Sequence, residues 1–258
     1  MNITMLRAGF SALIVATSLL AGTTSLKAQS AEDLIKTGQV HDHNLDAKQA
    51  LTHYLAAEKL QPDNADLLVY IARQYRHLMA DTSSTSEKLR LGGIALQYGQ
   101  RAAKLAPKNS DAQLSTAISY GKMLPYQSSK EQVQCSKLIK EGAERAIKLN
   151  PRNDLAWHII GRWHRNVADI SGIKKALASL IYESLPEATN EAAIASLEKA
   201  VSINPNRLMH YIELGRAHAQ AGNKDDARKY LAKGLKMPSV EKDDAEAKVT
   251  GQALLASL

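Results

Sequence analysis

Arg162, Trp163 and Arg165, followed by Lys174 and Lys175, are the side chains of this chain whose types and spacing could act on a ligand. An indole face beside two guanidinium groups can stack on, or clamp, an acidic headgroup or a peptide carboxylate. At about 100° per helical residue, Trp163 lies away from the line marked by Trp157, Ile160, Gly161 and His164. It is therefore expected either to stand exposed beside the arginines or to be covered by the segment that follows it. His41-Asp42-His43 with His53 has no matched second pair and no cysteine partner, so it reads as a polar helix-to-helix loop and not a metal site. Cys135, the single cysteine, can form no internal disulfide and is expected to be a small buried residue. No glycine-rich phosphate loop, nucleophile elbow or zinc helix motif occurs, so the expectation is a protein without catalysis, metal or cofactor.

The elements that must position these residues are marked by a recurring phrase: Leu60-Gln-Pro62-Asp-Asn64, Leu105-Ala-Pro107-Lys-Asn109, Leu149-Asn-Pro151-Arg-Asn153 and Ile203-Asn-Pro205-Asn206. Proline lacks the donor a helical ladder needs and disfavours helix in the residue before it, so each phrase ends one helix and opens the next repeat. Twelve, eight and five residues before these prolines stand Ala50, Tyr54 and Ala57; Ala95, Gly99 and Ala102; Ile139, Ala143 and Ala146; and Ala193, Leu197 and Ala200. Trp157, Ile160, Gly161 and His164 recur as Tyr211, Leu214, Gly215 and His218, and Ala227 with Leu231 closes a fifth unit. Small residues where two helices cross, with a proline near the end of each unit, are the pattern of tetratricopeptide repeats, about 34 residues long. Trp157 is expected in the core, and Gly161 and Gly215 where paired helices approach closely. The fold expected is all-α, a right-handed α-α superhelix with inserted helices.

The prolines are 45, 44 and 54 residues apart, so each gap holds an insertion of roughly ten, ten and twenty residues over the period. Asp81 to Glu87 is a Ser/Thr-rich loop ending in a helix cap, and Pro125 to Ser129 is the second insertion. In the third, Ile170, Ile173, Leu177, Leu180, Ile181 and Leu185 fall on one side of a helix that Pro186 ends. That stripe either packs across neighbouring repeats or lines an apolar cavity or membrane surface. Residues from about 240 to 258 read as a helix capping the last of about five hairpins.

Trp157-His-Ile-Ile-Gly161-Arg162-Trp163, then Asp169-Ile-Ser-Gly-Ile173, Leu180-Ile-Tyr182, Pro186, Ala188-Thr189-Asn-Glu191-Ala192 and Ile203-Asn-Pro205 resembles the regulator of microtubule dynamics family. The likeness continues through Tyr211-Ile-Glu-Leu-Gly215 and Leu235-Lys-Met-Pro238, and more loosely back to about Gln49. It implies a helical repeat domain with microtubule, spindle or organelle-contact partners, some members binding phospholipid.

Residues 1–28 carry Arg7 and Lys27 but no acid, around an apolar run from Ala8 to Ala21. That run matches a signal-peptide core and is too short for a membrane span, so export with cleavage near Ala28 is expected, a single domain then covering 29–258. The cytoplasmic or organellar setting of family members is the alternative. The chain carries +7 overall, and ten basic against five acidic residues lie between Lys130 and Tyr182. A positive zone on a concave solenoid would gather acidic ligands, although ordinary solvated helix faces are the plainer account of it. Nucleic acid is not expected, since no binding motif occurs and aromatics are 5% of the chain. The partners expected are a protein segment or an acidic amphiphile on the concave face, with peripheral membrane contact as an option and microtubules by resemblance alone.

Overall fold

In the computed structural model the described residues are 29–181 and 187–258; the proposed signal segment and Tyr182, Leu185 and Pro186 lie outside them. Twelve α-helices are formed among these residues, with no strand. The hairpins are α1 (Ala31–His43) with α2 (Ala47–Leu60), α3 (Ala65–Ala80) with α4 (Thr85–Leu105), and α5 (Ser110–Met123) with α6 (Ser129–Leu149). Next comes α7 (Asp154–Ala168), then α8 (Gly172–Ile181). The partner of α7 is α9 (Asn190–Ile203), followed by α10 (Leu208–Gln220) with α11 (Lys224–Lys236), and finally α12 (Asp244–Ser257).

Each proline phrase acts at both of its ends. Helices α2, α4, α6 and α9 stop two residues before Pro62, Pro107, Pro151 and Pro205. The asparagine two residues beyond the proline then caps the next helix: the side chains of Asn64, Asn109 and Asn153 accept hydrogen bonds from the first free amides of α3, α5 and α7. The same asparagines tie repeat to repeat, Asn109 Nδ2 donating to Asp66 at 2.9 Å and Asn153 Nδ2 to Asp111 at 2.8 Å. In the fourth phrase Arg207 stands where asparagine would be and makes no side-chain cap. Its guanidinium instead reaches Asp154 at 2.6 Å, an acid of the previous repeat that stands one residue after its capping asparagine where Asp66 and Asp111 stand two.

The small residues expected at the crossings are buried throughout, from Ala50, Tyr54 and Ala57 to Ala193, Leu197 and Ala200, as are Ala227 and Leu231. A Cβ on Gly161 would lie 2.6 Å from Leu197 Cγ, and one on Gly215 2.6 Å from Leu231 Cγ, so both glycines set how closely their hairpins close. Gly38 plays this part in the first hairpin, where a Cβ would lie 2.5 Å from the Tyr54 ring.

The first two insertions are mostly helix and not loop. Helices α4 and α6 run 21 residues against 14 for α2 and α9, about two extra turns each. Before α4 the loop ends at Ser84, which caps Glu87, and before α6 Ser128 and Glu131 form a reciprocal capping box. The third insertion holds α8, which packs on α6. Of its expected stripe, Ile170 and Leu177 are half-buried and Leu180 is 83% exposed, while Ala178 is buried; the side chains of Ile173, Ile181 and Leu185 lie outside the described residues.

Helices α3, α5, α7 and α10 pack on one another in sequence, while α4, α6 and α9 make no comparable contact among the described residues. A stack shorter along its first helices curves toward them, so these helices form the inner, concave wall.

Candidate ligand groove

The inner wall is polar at a fixed register. Arg73 and Arg76 stand nine and twelve residues after the capping Asn64, as do Arg162 and Arg165 after Asn153, and Arg216 stands nine after Arg207. The thirteenth position is His77 in α3 and Lys122 in α5. Folding the repeats side by side therefore lines up cations from four helices.

At the α7–α10 end, buried Glu213 collects three arginines: Arg216 at 2.6 Å, Arg165 at 3.3 Å and Arg162 at 3.6 Å. Burial pushes its carboxyl up, but Arg162, Arg165 and Arg216 together outweigh that and hold it below its ordinary value. Arg165 approaches without hydrogen-bond alignment, leaving its Nε and Glu213 Oε2 with no hydrogen-bond partner among the described residues. At the α1–α3 end, Arg73 pairs with buried Asp42, which also lies 4.0 Å from His77 and accepts from Tyr54 Oη at 3.4 Å. Arg76 is almost wholly buried and donates to Ser115 and Ser119 of α5 at 3.1–3.4 Å, with no carboxylate within ion-pair distance among the described residues. Burial, helped by Arg73, pulls its pKa down to about 9.

A second buried cluster joins the feet of α7 and α10. His210 Nε2 lies 3.0 Å from Asp154, and the Nδ1 atoms of His210 and His158 are 3.0 Å apart. With His210 donating from Nε2, its Nδ1 accepts and His158 donates, so both rings are neutral. Burial lowers both pKa values, that of fully buried His158 furthest.

The segment between α11 and α12 crosses this wall. Asp243 receives Lys122 Nζ at 2.6 Å, Lys242 reaches Asp81 at 2.6 Å, and Glu241 receives Arg207 Nε at 2.7 Å. Between the ninth and thirteenth positions of these helices, six cations, Arg73, Arg76, Lys122, Arg162, Arg165 and Arg216, thus face three carboxylates, Asp42, Glu213 and Asp243; the excess of positive charge is confined to this band, since the first turns of α3, α5 and α7 carry Asp66, Asp111 and Asp154.

Several expected positions differ. Trp163 is 4% exposed and donates from Nε1 to the Ser136 carbonyl and hydroxyl of α6 at 3.0 and 2.9 Å, with Lys140 over its ring. It therefore offers no open stacking face, and α6 is the helix that holds its polar edge. The reason is phase: Ala156, Ile160 and Trp163, spaced four and three apart, form the buried stripe toward α5 and α6, while Gly161 faces α9. Trp157, expected in the core, is half-buried and donates to the Pro151 carbonyl at 2.9 Å. Arg162 and Arg165 face Glu213, and Arg162 remains 42% exposed. The side chains of Lys174 and Lys175 lie outside the described residues. The basic zone is not one surface, since Lys130, Lys137 and Lys148 stand exposed on α6, a second helix, while Arg162 and Arg165 line the inner wall. His41-Asp42-His43 is the last turn of α1 and not a loop; His41 stacks on His53 at 5.3 Å, and no metal-holding cluster is present among the described residues. Cys135 is buried as expected.

Paired helices closed by small residues and stacked into a curved wall define a tetratricopeptide-repeat-like helical scaffold. A thermophilic tetratricopeptide repeat protein of Thermus thermophilus shares the fold, with a TM-score of 0.62 over 88% of this chain and all of that one, at 18% identity. The family model for regulator of microtubule dynamics protein 1-3 matches residues 33–258, and the chain belongs to that family. It is 26% identical over 197 residues to regulator of microtubule dynamics protein 2 of Mus musculus, covering 76% of this chain and 48% of the relative. With regulator of microtubule dynamics protein 1 of Bos taurus the identity is 29% over 210 residues, covering 80% and 64%. The chain thus spans about half to two thirds of the length of these relatives.

Proposed function

We propose that this chain is a non-enzymatic binding scaffold whose concave groove takes a protein segment bearing acidic groups. The observation that carries the reading is the cation register: arginines at the ninth position of α3, α7 and α10, and again at the twelfth of α3 and α7, share one wall with Lys122. Concave repeat surfaces are where such proteins gather extended partners, and a positive band along one favours acidic ones. Arg73 and Arg162, each more than two-fifths exposed, are the most accessible of these groups. Affinity capture from the native host, comparing the natural chain with Arg73→Glu/Arg162→Glu, tests this. A partner retained by the first and lost with the second is expected; equal capture by both would place binding elsewhere.

We also propose export with cleavage near Ala28, motivated by the apolar run Ala8–Ala21; mass determination of the chain purified from its host reads the N-terminus directly. A phospholipid or fatty-acid occupant is the alternative from a different class, and native mass spectrometry followed by solvent extraction distinguishes it from an empty protein. Microtubule binding comes only from the names of the relatives, and cosedimentation with tubulin at physiological salt tests it, since weak attraction between exposed charges is largely screened there.

A further inference from the structure

Three consecutive charged residues between α11 and α12 tie to three different helix ends of the inner wall. Glu241 meets Arg207, the N-cap of α10; Lys242 meets Asp81, the C-cap of α3; and Asp243 meets Lys122 in α5, 121 residues away in sequence. Burial pushes the Asp243 carboxyl up, but Lys122 above all, with a smaller effect from Arg162, outweighs it and keeps the group below the ordinary range. Arg76, buried against the hydroxyls of Ser115 and Ser119, feels Asp243 as a favourable charge. The strap is shaped from behind by Asp244, a fully buried residue whose Oδ2 accepts the Val240 and Glu241 amides, both at 2.8 Å. It brings no apolar anchor: Val240 is 57% exposed, and Pro238 and Ser239 are exposed as well.

We infer that residues 238–243 are an internal occupant of the groove, with Asp243 holding the place of a partner's carboxylate, and that an acidic peptide segment binds by displacing this strap. The inference rests on the groove reading above and gives it a chemistry and a control. The occupant is a stretch of non-helical chain and not a single charged head, so a peptide is the matching class of ligand. Held in the same chain, Asp243 competes at an effective concentration of the order of millimolar. Weak or singly charged ligands are thereby kept out, while a segment offering several carboxylates can replace all of the strap's ties to wall cations.

The test is fluorescence anisotropy of a labelled hexaglutamate peptide at low ionic strength, with the full chain as natural protein, Asp243→Ala, Lys242→Ala and Asp243→Ala/Lys122→Glu. Asp243 makes no side-chain cap on α12, so alanine there leaves the helix intact. Expected are at least tenfold tighter binding by Asp243→Ala, tightening also by Lys242→Ala, whose wall cations are untouched, and loss of the gain when Lys122→Glu is added. Hydrogen exchange at the Val240 and Glu241 amides should rise in the natural chain when peptide saturates it. Equal affinity of the natural chain and Asp243→Ala overturns the strap and leaves the groove standing. No peptide binding by any folded variant overturns strap and acidic-segment chemistry together, and the capture experiment then decides whether the wall binds at all. Binding of Asp243→Ala to phosphatidylglycerol vesicles but not to the peptide would likewise overturn it, in favour of a lipid surface.

Discussion

The capping asparagines carry more than helix starts. Asn153 is 6% exposed, accepts from the Ala156 amide, and donates to Ser110 Oγ at 2.9 Å as well as to Asp111. Asn153→Ala should therefore lower unfolding free energy by about 2 kcal/mol, the upper end for a lost cap, while Asn64→Ala, whose amide reaches only Gln61, should cost about 1 kcal/mol. Urea titration of the two variants gives that ranking. Glu213→Ala would leave Arg162, Arg165 and Arg216 uncompensated around a buried site and should cost about 3–5 kcal/mol in the same measurement. The titrating histidines point the same way. Burial lowers His158 and His210, and His77 to about 4, so the unfolded chain binds more protons than the folded one below about pH 6.5. Stability should be full above that pH and fall progressively toward pH 4, as urea midpoints from pH 7.5 down to 4.5 would show. At this scale the sequence was only partly legible. The cations were visible, but Arg162 and Arg165 can be placed against Glu213 only once α7 and α10 lie side by side. The register that joins them to Arg73 and Arg76 needed the caps, Asn64 and Asn153, as its origin.

Helices and their ends were far more legible, because proline and small residues act locally. The phrase around Pro62, Pro107, Pro151 and Pro205 places the end of four helices, and the offsets before it name the buried crossing residues. What spacing alone could not tell was whether extra residues enter as loop or as helix; the capping of α4 by Ser84 and of α6 by Ser128 turns most of them into additional turns. The phase of α7 was the other gap. A helix inside a stack buries two faces, Gly161 toward α9 and Ala156, Ile160 and Trp163 toward α5 and α6, so a single stripe is the wrong template. Gly161→Ala tests the tighter face: its Cβ would press Leu197 Cγ and lie 3.2 Å from the Ala193 carbonyl. A loss of about 1–3 kcal/mol is expected, shrinking in a Leu197→Ala background, which a double-mutant cycle in urea would measure.

For the molecule as a whole, the last helix completes a core of its own. Leu208, Ile212 and Leu231 are buried with Leu235, Ala247, Leu254 and Leu255 packed against them. Ending the chain at Met237 removes α12 and the strap together, and should lower the melting temperature and expose enough apolar surface to bind a hydrophobic dye, both read in one thermal scan. A helical solenoid held only by contacts between neighbours is a spring, free to stretch and, over generations, to lengthen by copying a unit. Lys122 bound to Asp243, and Asp81 bound to Lys242, bridge non-adjacent coils of this one. Pulling the coils apart must first break those bridges, so resistance to extension should be high at small strain and drop once they part. A duplicated unit inserted between Lys122 and Asp243 would carry the acid past its lysine. The number of coils in that stretch is thereby counted by the molecule itself.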